Sequence, residues 1–242
     1  MLHRTFTNRY EVKYLATHDQ VTYLKGRLEN LFSTDENTNG MDGYYNHSIY
    51  FDSPRYYFYR EKQEGLLLRM KPRLRTHLQT LDSSPSQWFL ELKGRYDKTV
   101  QKRRSLIDRS SADGLISGIF NHNYSNTDET MREFEYMWAR LSLRPSVSVL
   151  YYREPFNSEF FPNVRITFDY RISGSLNFSL TGARSQHELL NSPTDVLVEL
   201  KYTESIPRLI IDLFREAEMR QVTFSKYALC LESCVEKIPA LS

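Results

Sequence analysis

The architecture of this chain is decided near its N-terminus by a seven-residue alternating run, RYEVKYL (9–15). Its even positions are apolar or aromatic, whereas Arg9, Glu11 and Lys13 at odd positions are charged. Alternation with period two predicts a β-strand with one buried face and one charged face. The triplet Glu-x-Lys recurs within two later alternating runs, WFLELKGRY (88–96) and VLVELKY (196–202). The same pattern of carboxylate and ammonium is therefore expected on the charged face of three separate strands.

Length and composition are those of a soluble globular protein. The chain has 242 residues, of which 40% are hydrophobic and 26% charged, and its formal net charge is +2. No composition break or long linker divides it, so we expect a single domain spanning 1–242. No apolar run approaches the roughly 20 residues of a membrane span, and the N-terminus lacks a signal-peptide core. Because only two cysteines occur, Cys230 and Cys234, we expect a reduced, cytoplasmic protein without a disulfide framework.

Local patterns predict strands joined mainly by hairpins, with helices between them. The predicted strands are 9–15, 44–54, 66–75, 88–95, 99–106, 144–156, 163–172 and 196–202. The predicted helices are 17–32, 112–120, 127–141, 206–219 and 224–238. Thr17 or Asp19 is the expected cap of the first helix. Pro72 predicts an edge or an irregularity at its place in the third strand, because proline cannot donate a ladder hydrogen bond.

The charged faces of these strands are strongly biased toward basic residues. Thirteen basic positions fall on them, namely Arg9, Lys13, Arg69, Lys71, Arg73, Lys93, Arg95, Lys102, Arg104, Arg153, Arg165, Arg171 and Lys201. Four acids oppose them, namely Glu11, Glu91, Asp169 and Glu199, which leaves an excess of nine positive charges. For any one strand, a solvated face of mixed charge is an adequate alternative. Collectively, such segregation costs self-repulsion unless a polyanion binds there.

A closed sheet would turn the charged face into a lumen and the apolar face outward. We therefore predict an α+β fold with a closed eight-stranded antiparallel barrel and helices packed outside it. Such a barrel is about wide enough for side chains and one narrow ligand, and a linear phosphate chain fits that description. Arginine and lysine are the side chains that hold phosphate oxygens.

The carboxylates on this basic face have two possible roles. Each could balance a neighbouring cation, or could ligate a divalent cation such as Mn²⁺ or Mg²⁺ together with phosphate oxygens. For Glu11 and Glu91 both alternatives stay open. For Glu199, within the most regular strand, we favour metal ligation.

The ordered motifs RYEVKYL, SIYFDSP, LLLRMK, FLELKGRYDKTVQKRR, YYREPF, VLVELKY and FSKY resemble the VTC domain. This is the catalytic domain of polyphosphate polymerases, found also in stand-alone bacterial proteins, within the triphosphate tunnel metalloenzyme superfamily. The resemblance covers about residues 6–232. It implies a tunnel barrel of eight antiparallel strands. It also implies transfer of the ATP γ-phosphate onto a growing polyphosphate chain with Mn²⁺ or a similar ion.

The resemblance also assigns roles to residues of this sequence. The catalytic residues that it implies are Arg69, Lys71, Lys93, Lys102, Arg153 and Lys226, with Arg69 and Lys71 at the phosphate clamp. It places Lys13 and Ser225 at phosphate and makes Glu199 the metal-binding glutamate. From the basic face we add the phosphate-binding candidates Arg9, Arg73, Arg104, Arg165, Arg171 and Lys201. Glu11 and Glu91 complete the candidate metal ligands.

Three departures from the superfamily pattern matter. Arg9 stands where the first strand of the superfamily has a glutamate, which favours building phosphate chains over two-metal hydrolysis. Lys71 replaces the second arginine of the clamp and so provides a point charge in place of a bidentate fork. A third point concerns Lys102, whose role Arg103 or Arg104 could share.

The expected partners are ATP and inorganic polyphosphate. We expect no nucleic acid and no direct membrane insertion, while a membrane-protein partner is possible. No P-loop glycine pattern occurs, so side chains would hold ATP. Two other functions are compatible with the sequence: a triphosphate hydrolase of the same fold, and a non-catalytic polyanion-binding module.

Overall fold

The computed structural model describes residues 10–34, 38, 40–85, 87–96, 99–120, 128–180, 188–189 and 195–235. One antiparallel sheet runs through this part of the chain. Its strands are β1 (Tyr10–Thr17), β2 (Ser33–Thr34), β3 (Tyr44–Asp52), β4 (Leu68–Leu78), β5 (Trp88–Tyr96), β6 (Thr99–Ile107), β7 (Arg144–Asn157), β8 (Val164–Ser175), β9 (Glu188–Leu189), β10 (Asp195–Tyr202) and β11 (Arg220–Gln221). The helices are α1 (His18–Leu28), α2 (Tyr57–Gln63), α3 (Arg109–Ile116), α4 (Glu129–Leu141), α5 (Arg208–Glu216) and α6 (Lys226–Cys234). Within the described residues, no helix has the length and apolar character needed to cross a membrane.

The predicted closed eight-stranded barrel is wrong, because the sheet is open and has more strands. Each predicted strand forms a long strand, and three two-residue strands are added. The hydrogen-bonded order is β11-β1-β10-β8-β7-β3-β4-β5-β6, with β2 on β7 and β9 on β8. No backbone ladder joins β6 to β1 in the described part of the chain. Part of the free side of β1 pairs with β11 instead, at Tyr14 and Leu15.

The sheet nevertheless curls until its two ends face each other. Cα atoms of β1 and β6 approach within 8 Å. Lys93 of β5 forms an ion pair with Glu11 of β1, although these strands lie near opposite ends of the sheet. Strand twist accumulates over a sheet of this width and produces such curvature. The result is a concave face that encloses space, with a seam between β1 and β6.

The apolar face points outward and is covered by helices, as predicted. Leu24 and Leu28 of α1 and Leu213 of α5 pack with Ile166 and Val198 of the sheet. A second cluster joins α3 and α4 to β3, β4 and β5. Both clusters exclude water from the convex side, and burial of this kind is the main favourable term in folding.

The last helix lies on the concave side, unlike the predicted arrangement of helices outside the sheet. Tyr227 and Leu231 of α6 pack against Val147, Val149 and Leu197. These three sheet residues share the strand face of Arg153 and Glu199, because side chains alternate along a strand. Helix α6 therefore fills part of the enclosed space and carries its first turn into the basic region.

Local predictions were confirmed at two positions. Thr17 caps α1 in a capping box with Gln20. At Pro72, β4 pairs with β5 but not with β3, since the β3 pairing begins at Arg73. The missing proline N–H is therefore on the unpaired side. Helix α2 was not predicted, since its sequence has no clear apolar period. The pattern also predicts a turn through 96–98 between the fifth and sixth strands, of which 97–98 lie outside the described residues.

We expect Phe134→Ala to lower the free energy of unfolding by about 3–5 kcal/mol. Phe134 is fully buried in α4 and packs on Phe51 and Trp138, so truncation leaves a cavity. Urea unfolding followed by circular dichroism measures the change. Tyr136→Ala on the exposed side of α4 is the control and should shift stability by no more than about 0.5 kcal/mol. Equal losses in both variants would contradict the assignment of Phe134 to the core.

Candidate functional site

The concave face of the sheet and the start of α6 enclose a cavity of about 230 Å³. Ten basic side chains line it, namely Lys13, Lys71, Arg73, Arg75, Lys93, Lys102, Arg153, Arg165, Lys201 and Lys226. Two carboxylates, Glu11 and Glu199, share the lining, and two more, Glu91 and Asp169, are buried against its cations. Ten basic side chains against four carboxylates leave an excess of six basic groups. Clefts of one charge sign attract and concentrate ions of the opposite sign.

Most of the predicted site residues come together here. The predicted residues on the lining are Glu11, Lys13, Lys71, Arg73, Lys93, Lys102, Arg153, Arg165, Glu199, Lys201, Ser225 and Lys226. Arg69 lines a smaller adjoining cavity of about 70 Å³, with Lys71 and Lys93 common to both. Seven long strands and the start of α6 contribute these residues, so positions from 11 to 226 in the sequence meet in one place.

Four predicted residues are not brought to the cavity. Arg104 is exposed, and its guanidinium lies over the Phe89 ring at 4.9 Å. Arg171 is also exposed, with φ 50°, where an extra residue of β8 shifts the register with β7. This bulge breaks the alternation from which Arg171 was assigned. Glu91 is buried behind the lining, and Arg9 lies outside the described residues.

Sequence reasoning gave no site role to Arg75, to Asp169, which it placed on the charged face, or to the ring hydroxyls of Tyr50 and Tyr151. Arg75 continues the basic alternation of β4, so that signal was available. Tyr151 accepts a short hydrogen bond from Arg75. Its ring also lies 4.7 Å from Lys226 Nζ, a distance typical of a cation–π contact. The Tyr50 hydroxyl accepts a hydrogen bond from Arg73 Nη1 at 2.9 Å. No sequence spacing could have revealed these contacts, since they join different strands.

Glu199 contacts three of the cations that line the cavity. Its carboxylate lies 2.5 Å from Lys201 Nζ, 2.8 Å from Arg153 Nη2 and 2.9 Å from Lys226 Nζ. Burial raises the pKa of the Glu199 carboxyl, but these cations outweigh burial and hold that pKa well below its usual range. Glu199 is therefore ionised at neutral pH and orients three cations at once.

Asp169 fixes two of the same cations from behind. Arg153 donates to both of its carboxylate oxygens at 2.6 Å, and Lys226 Nζ lies 2.5 Å away. Burial lowers the pKa of Lys226, but Asp169 and Glu199 outweigh it and leave that pKa above its usual value. Arg153 and Lys226 are thus charged and held before any ligand arrives.

Other lysines of the cavity are less well compensated. Burial lowers the pKa of Lys201 to about 7, with a further contribution from Arg153 and partial opposition from Glu199. Burial also lowers the pKa of Lys71 well below its usual value, and nearby Lys13 and Lys93 add to the effect. Lys71 Nζ donates to Ser225 Oγ at 2.8 Å, a neutral partner. A bound anion would stabilise the charged forms of these lysines.

Glu91 acts as a structural counter-ion. Arg73 donates to its Oε2 through Nε at 2.9 Å and Nη2 at 2.7 Å, and Lys102 forms a further close ion pair. Only 1% of the Glu91 side chain is exposed. The buried Glu91 carboxylate lies behind the lining and does not face the cavity, so it does not suit the metal-binding role considered for it.

Glu11 and Glu199 suit a metal that arrives with phosphate. Within the described residues, no three His, Cys, Asp or Glu side chains form a metal cluster. Mg²⁺ and similar ions use one or two carboxylates and complete their coordination with substrate phosphates. Both glutamates line the cavity, and Lys13 lies 3.1 Å from Glu11 and 3.9 Å from Glu199. This pair of hard oxygen donors fits such a shared site.

Solved structures include proteins that align with this chain over most of their length. A Bacillus halodurans protein described as a "putative adenylate cyclase" aligns with TM-score 0.54 and 12% identity, over 90% of this chain and 95% of that one. The PH1819 protein from Pyrococcus horikoshii OT3 gives a TM-score of 0.48 and 16% identity, over 93% and 99%. No curated protein matches the sequence. The VTC domain matches residues 8–235, nearly the whole chain, and the protein therefore belongs to the VTC domain family.

Proposed function

We propose that this protein is a polyphosphate polymerase, which transfers the γ-phosphate of ATP to the end of a growing inorganic polyphosphate chain. The observation that carries the proposal is the cavity lined by ten basic side chains with only two carboxylates. Two of its lysines, Lys71 and Lys201, have depressed pKa values that a bound polyanion would restore. A linear phosphate chain supplies negative charge at every unit and is narrow enough for the enclosed space.

The residues would act by positioning and by charge neutralisation. Phosphoryl transfer passes through a loose transition state, with charge spread over the equatorial oxygens. Arg153 and Lys226, already held by Asp169 and Glu199, are placed to stabilise that charge without reorganising. A divalent cation held by Glu11 and Glu199 would neutralise further phosphate charge when bound. Arg69 and Lys71, at the adjoining cavity, would hold the neighbouring phosphates of the chain.

Transfer to phosphate needs no general base, whereas transfer to water is helped by one whose pKa lies near the operating pH. Cations hold the pKa values of Glu11 and Glu199 well below their usual range, so both carboxylates are weak bases. Lys201, with a pKa of about 7, is the lining group that could assist attack by water. The end of a phosphate chain is already ionised and needs no base to attack in line. Hydrolysis of triphosphates and simple binding of polyanions are the alternatives.

One assay distinguishes the three functions. The pure protein is incubated with ATP and Mn²⁺, and the products are examined for long polyphosphate on a gel and for free phosphate in solution. Long chains support the polymerase. Free phosphate without chains would point to hydrolysis. If neither product formed, the result would point to a non-catalytic polyanion-binding module.

We expect Lys226→Ala, Arg69→Ala and Glu199→Gln each to lower turnover by roughly a hundredfold, the usual size for loss of one charge-stabilising group. Lys226 and Arg69 would contact phosphate, and Glu199 orients three of the cations. Arg215→Ala, on the outer surface of α5, is the control and should retain normal turnover. Circular dichroism checks that each variant folds. Near-normal turnover in Glu199→Gln would contradict the role of Glu199 at the metal and the cations.

We expect affinity for tripolyphosphate to depend on the protonation of Lys201. Its pKa of about 7 means that Lys201 is charged at pH 6 and largely neutral at pH 8.5, so affinity should fall as the pH rises. In Lys201→Arg the charge persists at both pH values, so the fall should be smaller. Isothermal calorimetry across this range measures both proteins with the same ligand, which cancels the titration of the phosphate itself. Equal pH dependence in the two proteins would refute the assignment.

A further inference from the structure

A buried carboxylate outside the cavity connects three parts of the fold. Asp52 ends β3 and is fully buried, and its carboxylate accepts hydrogen bonds from the backbone N–H of Ser53 at 2.7 Å and of Phe58 and Tyr59 at 3.0 Å. It also accepts from the hydroxyl of Tyr227 at 2.5 Å. Among the described residues, no cationic side chain forms an ion pair with it. Asp52 thus joins the end of β3 and the first turn of α2 to α6.

Asp52 supplies a cap that α2 does not provide for itself. The residue before α2, Tyr56, is in the left-handed conformation, and its side chain makes no capping hydrogen bond. The N–H groups of a first helical turn need acceptors, and Asp52 satisfies two of them. These backbone bonds fix the Asp52 carboxylate, so it is a rigid acceptor for the tyrosine of α6.

Tyr227 is held on both its ring and its hydroxyl. The ring is 2% exposed and stacks on Tyr50 with centroids 5.0 Å apart. The hydroxyl donates to Asp52. Since Tyr50 in turn accepts from Arg73 of the cavity, Tyr227 is packed between the Asp52 anchor and the basic lining.

Three residues at the start of α6 line the cavity, namely Ser225, Lys226 and Tyr227. Ser225 caps the helix and accepts from Lys71, while Lys226 pairs with Asp169 and Glu199. Neighbouring helical residues project about 100° apart, so the direction of Tyr227 sets the direction of Lys226. The first turn of a helix otherwise frays readily, because its N–H groups lack helical partners.

We propose that Asp52 is a positioning residue that acts through Tyr227 to hold Ser225 and Lys226 of α6 in the cavity. The consequence for turnover rests on the proposed function, whereas the consequence for the first turn of α6 does not. Asp52 does not line the cavity. Its effect reaches the cavity through one hydroxyl and the rotation of one helical turn.

The test is Tyr227→Phe, which removes the hydroxyl and keeps the ring stacked on Tyr50. The control is Tyr59→Phe, which removes another tyrosine hydroxyl between α2 and α6, where Tyr59 donates to the exposed Glu232 at 2.9 Å. Hydrogen exchange followed by mass spectrometry reports on the amides of Ala228 and Leu229, which bond to Ser225. Polyphosphate synthesis from ATP and Mn²⁺ reports on the cavity.

In Tyr227→Phe we expect faster exchange confined to the first turn of α6. We also expect a fall in kcat of roughly tenfold or more, with a smaller change in KM for ATP, because a misplaced charge weakens the transition state most. Tyr59→Phe should leave both readouts unchanged. Asp52→Asn should lower kcat as Tyr227→Phe does, and the double variant should be no worse than the single ones if both act through one contact.

Unchanged kcat and unchanged exchange in Tyr227→Phe would overturn the positioning role, even if Asp52→Asn failed to fold. An equal loss in Tyr59→Phe would also overturn it, since the effect would then be general to the helix pair. If the native protein made no polyphosphate, the proposed function would fail separately. Tripolyphosphate affinity would then replace kcat, and an affinity equal in Tyr227→Phe and the native protein would overturn the positioning role.

Discussion

The structure depends on the confinement of like charges on one concave face. Two unit charges 4 Å apart repel by about 4 kcal/mol at the effective dielectric of a protein surface, so ten unbalanced cations would oppose folding strongly. Four carboxylates offset this repulsion, each in contact with at least two of the cations. The cost is further offset by the convex face, where two apolar clusters pack the helices against the strands. The fold therefore stabilises a surface that is incompletely neutralised by the protein itself.

Strand identity and the choice of face could be predicted because both depend on a local period of two. Each predicted strand is present, and the alternation of β4 and β10 places Lys71, Arg73, Glu199 and Lys201 on the lining as expected. The same rule failed at Arg171, where one extra residue in β8 changes which face the neighbouring side chains occupy. A bulge leaves no reliable mark in a single sequence, since any residue of suitable size can occupy it.

The arrangement of the whole sheet could not be predicted from local patterns. Whether the sheet closes depends on pairing between its first and last strands, and β11 takes part of that edge. The position of α6 was equally hidden, because an apolar helix face packs as well inside a curled sheet as outside it. Asp169 and Asp52 were not assigned for the same reason, since their partners come from distant strands and helices.

The three Glu-x-Lys triplets show how one spacing yields different chemistry. In β10 the pair is joined directly, with Glu199 and Lys201 2.5 Å apart, and in β1 Glu11 and Lys13 are 3.1 Å apart. In β5 the two residues do not pair with each other. Glu91 forms an ion pair with Arg73, and Lys93 forms one with Glu11 of β1 at 3.3 Å. The seam between β1 and β6 is thus bridged by side-chain charges where a closed barrel would have backbone hydrogen bonds.

A phosphate chain that engaged Lys13 and Lys93 would draw them from Glu11 and leave a buried carboxylate without its counter-ions. Such a group is costly unless a new cation reaches it. A divalent ion carried by the phosphates would restore the balance, so anion and metal binding are expected to reinforce each other at this seam.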